Sequence, residues 1–407
     1  MRKIISLLLL ISLLAGLMAA CASEDDEEIN ILEDDLSKYI ELDEKYYKGY
    51  TVVVDPNRVT DFHINNEIIA VLCKNKSKEA IDGDGIISVG DVVDIYYKGY
   101  YFNEDGSKNY FDGGSNVGAS SPHSLEIGSH GFIPGFEYNL IGKNPAEYTT
   151  DNPIVVETFF PENYQAAELA GKTAYFEVTV VKITEYSAPE LDEAFIKDTL
   201  KLETALADYE GENLVEKYRA YVKEEYILDN GLDEESLIYN AFWKSVIDGA
   251  VVKKYPETLV KQTADEYAAE LKYYYENSYS YYYEYEQFMC LYLGLEIGSD
   301  WQAELEEIAK NQIKQQMIIY HIMNKEGLRP TAAKYEELFD EYLTDALNSE
   351  GITPENYGTN DEYLAVKNEY KTQMLKQQGE EYFKSMIYYG VVWEKVKGYA
   401  NIVDKAE

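Results

Sequence analysis

The sequence is poor in the residues that most often announce a chemistry. Its 407 residues hold three cysteines and four histidines. His63, His123, His130 and His321 are dispersed, so no zinc-ligand spacing exists. No Ser-His-Asp or Cys-His pattern stands out, which leaves no nucleophilic machinery to point to. Three cysteines, at 21, 73 and 290, make no disulfide framework, and Cys73 and Cys290 are expected to be buried apolar thiols. Cations are scarce too: 36 Lys plus Arg stand against 75 Asp plus Glu, a formal net charge of -39. Such a surface repels nucleic acid and gains nothing from anionic lipid headgroups. Most of the carboxylates read as solvated helix faces. Phe is sparse, 13 against 40 Tyr. Tyr buries a large apolar ring yet keeps a polar tip, which suits either a helix core or an apolar surface that must stay soluble. Composition does not separate the two uses.

The apolar run from Ile4 to Met18 follows Arg2 and Lys3 and is too short to span a bilayer. It closes on Met18-Ala19-Ala20-Cys21, which resembles a lipoprotein cleavage box. In such a box the Cys thiol takes a diacylglycerol before the peptide is cut in front of it. The expectation is a signal peptide over residues 1–20 and a chain anchored through Cys21 to the outer face of a bacterial cytoplasmic membrane. An ordinary secretory signal with a chance Cys is the alternative. Residues 21–45, with Ser23-Glu24-Asp25-Asp26-Glu27-Glu28 and Glu33-Asp34-Asp35, read as an acidic tether.

The rest divides by texture. Over residues 46–82, Tyr50 to Val54 is a β-branched run. Thr60 or Asp61 then caps a helix with Ile64, Ile68, Ile69 and Leu72 at helical spacing, a strand and helix expected to pack on a helical body. Over 83–187 glycines and turn residues cluster and short strands appear. In Thr173 to Ile183, Ala174, Phe176, Val178 and Val180 share one face. From 188 to 407 the chain reads as helical. Trp301, Leu305, Ile308, Ala309, Ile313, Met317 and Tyr320 line one helix face, Glu326 to Pro330 breaks it, and Thr331 caps the next. Further helices are expected from Glu362 to Met386 and from Val391 to Ala400. The fold class is α+β multidomain. Asp82-Gly83-Asp84-Gly85 superficially matches a calcium loop, but Ala80 falls where the first carboxylate should be. No cofactor or metal is expected.

The β-rich segment carries, in order, Gly90-Asp91-Val92-Val93, Tyr97-Lys98-Gly99, Phe111-Asp112-Gly113-Gly114, Gly131-Phe132-Ile133-Pro134-Gly135-Phe136-Glu137, Leu140-Ile141-Gly142, Phe160-Pro161-Glu162-Asn163-Tyr164, Leu169-Ala170-Gly171-Lys172 and Ala174-Tyr175-Phe176-Glu177-Val178. This series resembles the FKBP-type peptidyl-prolyl isomerase domain in its trigger factor version. Ala188-Pro189-Glu190-Leu191-Asp192-Glu193-Ala194-Phe195 looks like the segment leaving that domain. The helices from Tyr255-Pro256-Glu257 to Arg329-Pro330 look like the trigger factor chaperone body. The resemblance implies an FKBP-like antiparallel sheet with a short helix, embedded in an all-α chaperone body. No counterpart of the ribosome-docking domain is recognisable, so ribosome binding is not expected.

By the same resemblance, Tyr97, Phe111, Phe132, Ile133, Phe136, Tyr164 and Phe176 line a proline pocket with Phe136 as its floor. Asp112 orients it and the Ile133 N–H anchors the peptide. The expected partners are unfolded, proline-containing exported polypeptides. The insertion Ser115 to Pro122 alters a flap beside the pocket. Two rival readings stay open: a chaperone whose isomerase domain binds peptides without turning them over, and a surface lipoprotein dedicated to one client.

Overall fold

The computed structural model describes residues 31, 35–103, 105–160, 164, 166 and 168–405. The signal peptide, Cys21 and most of the acidic tether lie outside the described residues. The described chain parts into two compact units, one comprising Val54–Ser236 and the residues from Asp404, the other the residues up to Val53 with Leu237–Val403.

The first unit opens with helix α1, Asp61–Lys74. Thr60 is extended and its N–H donates to His63 Nδ1 at 3.1 Å, so the first turn is capped from within. Ile64, Ile68, Ile69, Ala70 and Cys73 are buried along one stripe. The chain then enters and leaves the sheet side by side: the Ile81 N–H donates to Glu185 O at 2.9 Å and the Ser77 N–H to Ser187 O at 2.7 Å. Between these points lie strands β1, Val92–Phe102; β2, Lys108–Ser115; β3, His123–Glu126; β4, Ile154–Phe159; and β5, Thr173–Thr184. They form an antiparallel sheet in the order β2-β1-β5-β4, with β3 also paired to β1. Ala174, Phe176 and Val178 of β5 are buried, the period-two pattern expected of a half-covered strand. They join Val93, Ile95, Leu125, Ile127, Phe136, Leu140, Ile154 and Val156 in one core. A second cluster packs Val59, Ile64 and Ile68 against Ile196, Leu206, Tyr218 and Val222. Tyr218 and Val222 belong to α2, Leu214–Asp229, and Arg219 on that helix pairs with Asp61 at 2.9 Å.

The second unit is helical: α3, Glu234–Gly249; α4, Glu257–Tyr274; α5, Tyr285–Tyr292; α6, Trp301–Glu326; α7, Ala332–Ser349; α8, Asn360–Gln378; and α9, Glu380–Val396. On α6 the expected face is buried except for Ile308, which is half-buried, and every side chain from Met317 to Met323 is buried. Gly327 closes α6 in the left-handed conformation at φ 63°, and the Thr331 hydroxyl accepts from the Lys334 N–H at 3.3 Å. The two last helices differ from expectation. Helix α8 stops at Gly379, whose φ of 83° and ψ of 158° no helix accommodates, and α9 then runs unbroken through Gly390. Open space surrounds Gly390, so its lack of a side chain forces no break there.

Candidate functional site

The core of the first unit reaches the surface among a group of aromatic rings. Phe136 follows the turn at Gly135 and is fully buried. Phe132 stacks on it, with ring centroids 4.2 Å apart and planes at 21°. The ring of Phe176, from β5, meets Phe136 edge-on at 5.1 Å, and Tyr97, from β1, stands edge-on to Phe132 at 5.0 Å. Phe111, from β2, approaches Phe176 at 5.8 Å. Tyr97, Phe111, Phe132 and Ile133 are half-buried, so a concave wall rises around a buried floor. Two glycines make room for it. A Cβ on Gly99 would come within 2.4 Å of Phe111 and 2.7 Å of Phe176, and one on Gly114 within 2.1 Å of Phe111. Phe111 can lie flat over the strands only because both positions are bare.

Tyr164 takes a lesser place. It is 36% exposed and its ring meets Phe160 at 4.6 Å, while Phe160 in turn meets Phe111 at 5.4 Å. Asp112 lies in β2, and its side chain is outside the described set. Among the described residues no group accepts the Ile133 N–H, which leaves it available to a peptide carbonyl.

Glu137 closes the Gly131–Glu137 motif, whereas Asn116 and His123 carry no signal of their own in sequence. Glu137 is buried, and its carboxylate accepts from the N–H groups of Gly128 at 2.7 Å, His130 at 3.1 Å, Gly131 at 2.7 Å and Phe132 at 3.3 Å. One side chain thereby holds the loop that presents Phe132 and Ile133. Asn116, inside the Ser115–Pro122 insertion, accepts from the Tyr97 N–H at 2.6 Å and donates to Ile95 O at 3.0 Å, continuing the bonding of β1 just past its last pair with β2, Lys98 with Ser115. His123 stands on the rim, its ring 5.4 Å from Phe132. Beneath, Asp91 is buried and accepts from Ser88 N–H at 2.7 Å and Tyr186 N–H at 2.9 Å. Burial nonetheless pushes its carboxyl above the ordinary range.

Among the described residues the arrangement holds no nucleophile and no acid–base pair. It offers a half-buried aromatic wall, the Ile133 N–H, and hydrogen-bonded support behind both.

The helical unit carries a different surface. After α4 the chain makes a π-helical turn over Tyr275–Tyr279 and a loop before α5. Tyr274, Tyr275, Tyr279 and Tyr292 gather around the buried Phe288, with Tyr275 and Tyr279 each 5.3 Å from it. Beyond them Tyr273, Tyr281 and Tyr282 are 70%, 91% and 73% exposed. The cluster thus grades outward, from the half-buried Tyr275 and Tyr279 on Phe288, through the more exposed Tyr274 and Tyr292, to an outer group facing solvent.

Residues 83–181 match a family model described as FKBP-type peptidyl-prolyl cis-trans isomerase. The chain is similar to the trigger factor of Halothermothrix orenii, 30% identical over 306 residues that cover 75% of this chain and 64% of that protein. It is similar to the trigger factor of Leuconostoc citreum at 28% identity, over 73% of this chain and 63% of the relative. A solved structure of the trigger factor chaperone aligns with 88% of this chain and 73% of its own at 16% identity, with a TM-score of 0.33. The chain spans less than two thirds of the length of these curated relatives.

Proposed function

From a chain that carries an FKBP-type peptidyl-prolyl cis-trans isomerase domain and is related to trigger factors, we propose a foldase that isomerises X–Pro bonds in unfolded exported polypeptides and holds such chains on its helical body. Rotation about an X–Pro bond faces a barrier of about 18–20 kcal/mol, because resonance gives the C–N bond double-bond character. Catalysis needs no covalent step, only an environment that favours the twisted amide over the planar one. The proline ring meets the half-buried rings of Tyr97, Phe111 and Phe132, while Phe136, fully buried with Phe132 stacked on it at 4.2 Å, supports them from beneath. These rings strip water from the prolyl carbonyl, whose dipole is largest in the planar form, so the twisted form loses less. The Ile133 N–H fixes the peptide while the bond turns. The observation that carries this reading is the half-buried aromatic wall standing on a fully buried Phe136.

A protease-coupled assay with proline peptides tests it on the full mature chain. Turnover above the buffer rate is expected. Turnover equal to buffer would overturn the isomerase reading in favour of peptide binding alone.

The location rests on the lipobox-like Met18-Ala19-Ala20-Cys21 and on the acidic tether behind it. A diacylglycerol on Cys21 supplies two acyl chains, enough for stable anchoring where one chain is marginal. Cys21→Ser should leave the protein folded and move it to the soluble fraction. A Ser variant that stays with the membranes through a salt wash rules the anchor out.

A further inference from the structure

Helix α1 lies outside residues 83–181, yet its inner face forms the back of the loop that carries Phe132 and Ile133. Several contacts make the joint. The Gly135 N–H donates to Asn66 Oδ1 at 3.3 Å, and His130 Nε2 lies 2.9 Å from the Asn66 backbone carbonyl oxygen and 3.2 Å from its side-chain Nδ2. Gly135, at φ 87°, presses its bare Cα on the Phe62 ring, where a Cβ would come within 2.1 Å. Gly128, at φ 99°, lies against the Ile69 carbonyl and Cys73, each 2.8 Å from where a Cβ would stand. The loop is thus clamped to the helix at both ends, 128 and 135, with the pocket wall between.

Asn66 is the anomaly in this face. It is 8% exposed, among Ile64, Ile68, Ile69, Ala70 and Cys73. A buried amide costs free energy unless its hydrogen bonds are made, and an aliphatic residue there would serve helix packing as well. What Asn66 adds is direction. Its side-chain oxygen fixes the backbone one residue before Phe136, and its side-chain nitrogen adds a second contact to His130, a non-glycine residue at φ 58° that the Asn66 backbone carbonyl already meets.

We propose that Asn66 is a positioning residue of the proline pocket, so that α1, a helix beyond the isomerase domain's own bounds, sets the geometry of the Phe132–Ile133 wall. This rests on the isomerase reading above. Misplacing a binding wall by a fraction of an ångström lowers the rate without abolishing binding.

The test compares full-length Asn66→Leu and Asn66→Asp with the parent chain, at a temperature where all three are folded by circular dichroism. Leu keeps the volume and removes the two side-chain contacts, to the Gly135 N–H and to His130 Nε2, while the Asn66 backbone carbonyl beside His130 stays in place; Asp keeps an acceptor for the Gly135 N–H. We expect Asn66→Leu to lose about tenfold in kcat with KM nearly unchanged, and Asp to restore most of it. Amide resonances of selectively 15N-labelled Ile133 and Gly135 should move in the Leu variant and return in the Asp variant. A folded Leu variant with parental kcat, or an Asp variant as impaired as Leu, overturns the proposal. Should Asn66→Leu fail to fold, His130→Asn replaces it, since Asn tolerates positive φ and removes the ring; parental turnover there overturns the proposal equally. If the parent chain itself shows no turnover, the isomerase reading fails, and the positioning claim is decided by the Ile133 resonance alone: displaced, it stands; unmoved, it falls.

Discussion

Phe111 and Phe136 share a pocket but not a structural burden. Phe136 is fully buried and touches Tyr97, Phe132 and Phe176. Truncating it to Ala removes a core ring at about 3–5 kcal/mol of stability as well as the pocket floor. Phe111 is half-buried on the wall, so Phe111→Ala separates the two effects. We expect Phe111→Ala to lower proline-peptide turnover at least about tenfold, on the order of 1.4 kcal/mol of barrier, with a modest loss in melting temperature. A Phe111→Ala enzyme within twofold of the parent would remove that ring from the site. The aromatic wall was legible in sequence because its members sit in short motifs, Phe111-Asp112 and Gly131 to Glu137, where adjacency in the chain matches adjacency in space. The supports were not. Asn66 reaches a partner 69 positions away, and Asn116 one 19 positions away, so nothing local in the sequence announces either contact.

At the scale of elements, α1 joins the sheet domain to α2, and His63 sits in its first turn with its ring 5.1 Å from Tyr226 and 5.7 Å from Phe159. Burial holds the His63 imidazole below its ordinary range, and burial does the same to His321 on α6. Both groups therefore bind protons less readily folded than unfolded. Their contribution to stability is present above the unfolded value of 6.5 and is lost as pH falls through the lower folded value. The melting temperature should drop as pH is lowered from about 7 to about 5.5. His63→Gln, which keeps an acceptor for the Thr60 N–H, should flatten that dependence; an unchanged slope would exclude His63 as a contributor. Elements were read well where a cap or break is written in single residues, as at Thr60, Gly327 and Thr331. They were read poorly at Gly379 and Gly390. A glycine stops a helix only when its backbone leaves helical space, and composition does not say which of two will do so.

At the scale of the molecule, the tyrosine surplus resolves into two uses, and they predict different phenotypes. Tyr273, Tyr281 and Tyr282 are mostly exposed rings with hydroxyls that tolerate water, suited to loose contact with unfolded chains. Replacing these three with Ser should weaken suppression of test-protein aggregation while melting temperature and proline-peptide turnover hold. Replacing Tyr275 and Tyr279, which pack on Phe288, should instead lower the melting temperature. Equal suppression by the parent and the exposed-tyrosine variant would take that surface out of the client site. The division of the chain has a temporal consequence. The isomerase-bearing unit is nearly continuous, Val54–Ser236, whereas the helical unit combines the segment before Val54 with Leu237–Val403. A chain that emerges from its N-terminus exposes every residue of the first through Ser236 before most of the second exists. The isomerase unit can therefore mature first, and closing it shortens the effective loop that the helical unit must still bridge. Helix α9 is among the last pieces to arrive, and its Phe383, Val392, Trp393 and Val396 are buried in that unit. A nascent chain stalled before α9 would thus present a finished aromatic pocket beside an unfinished helical unit.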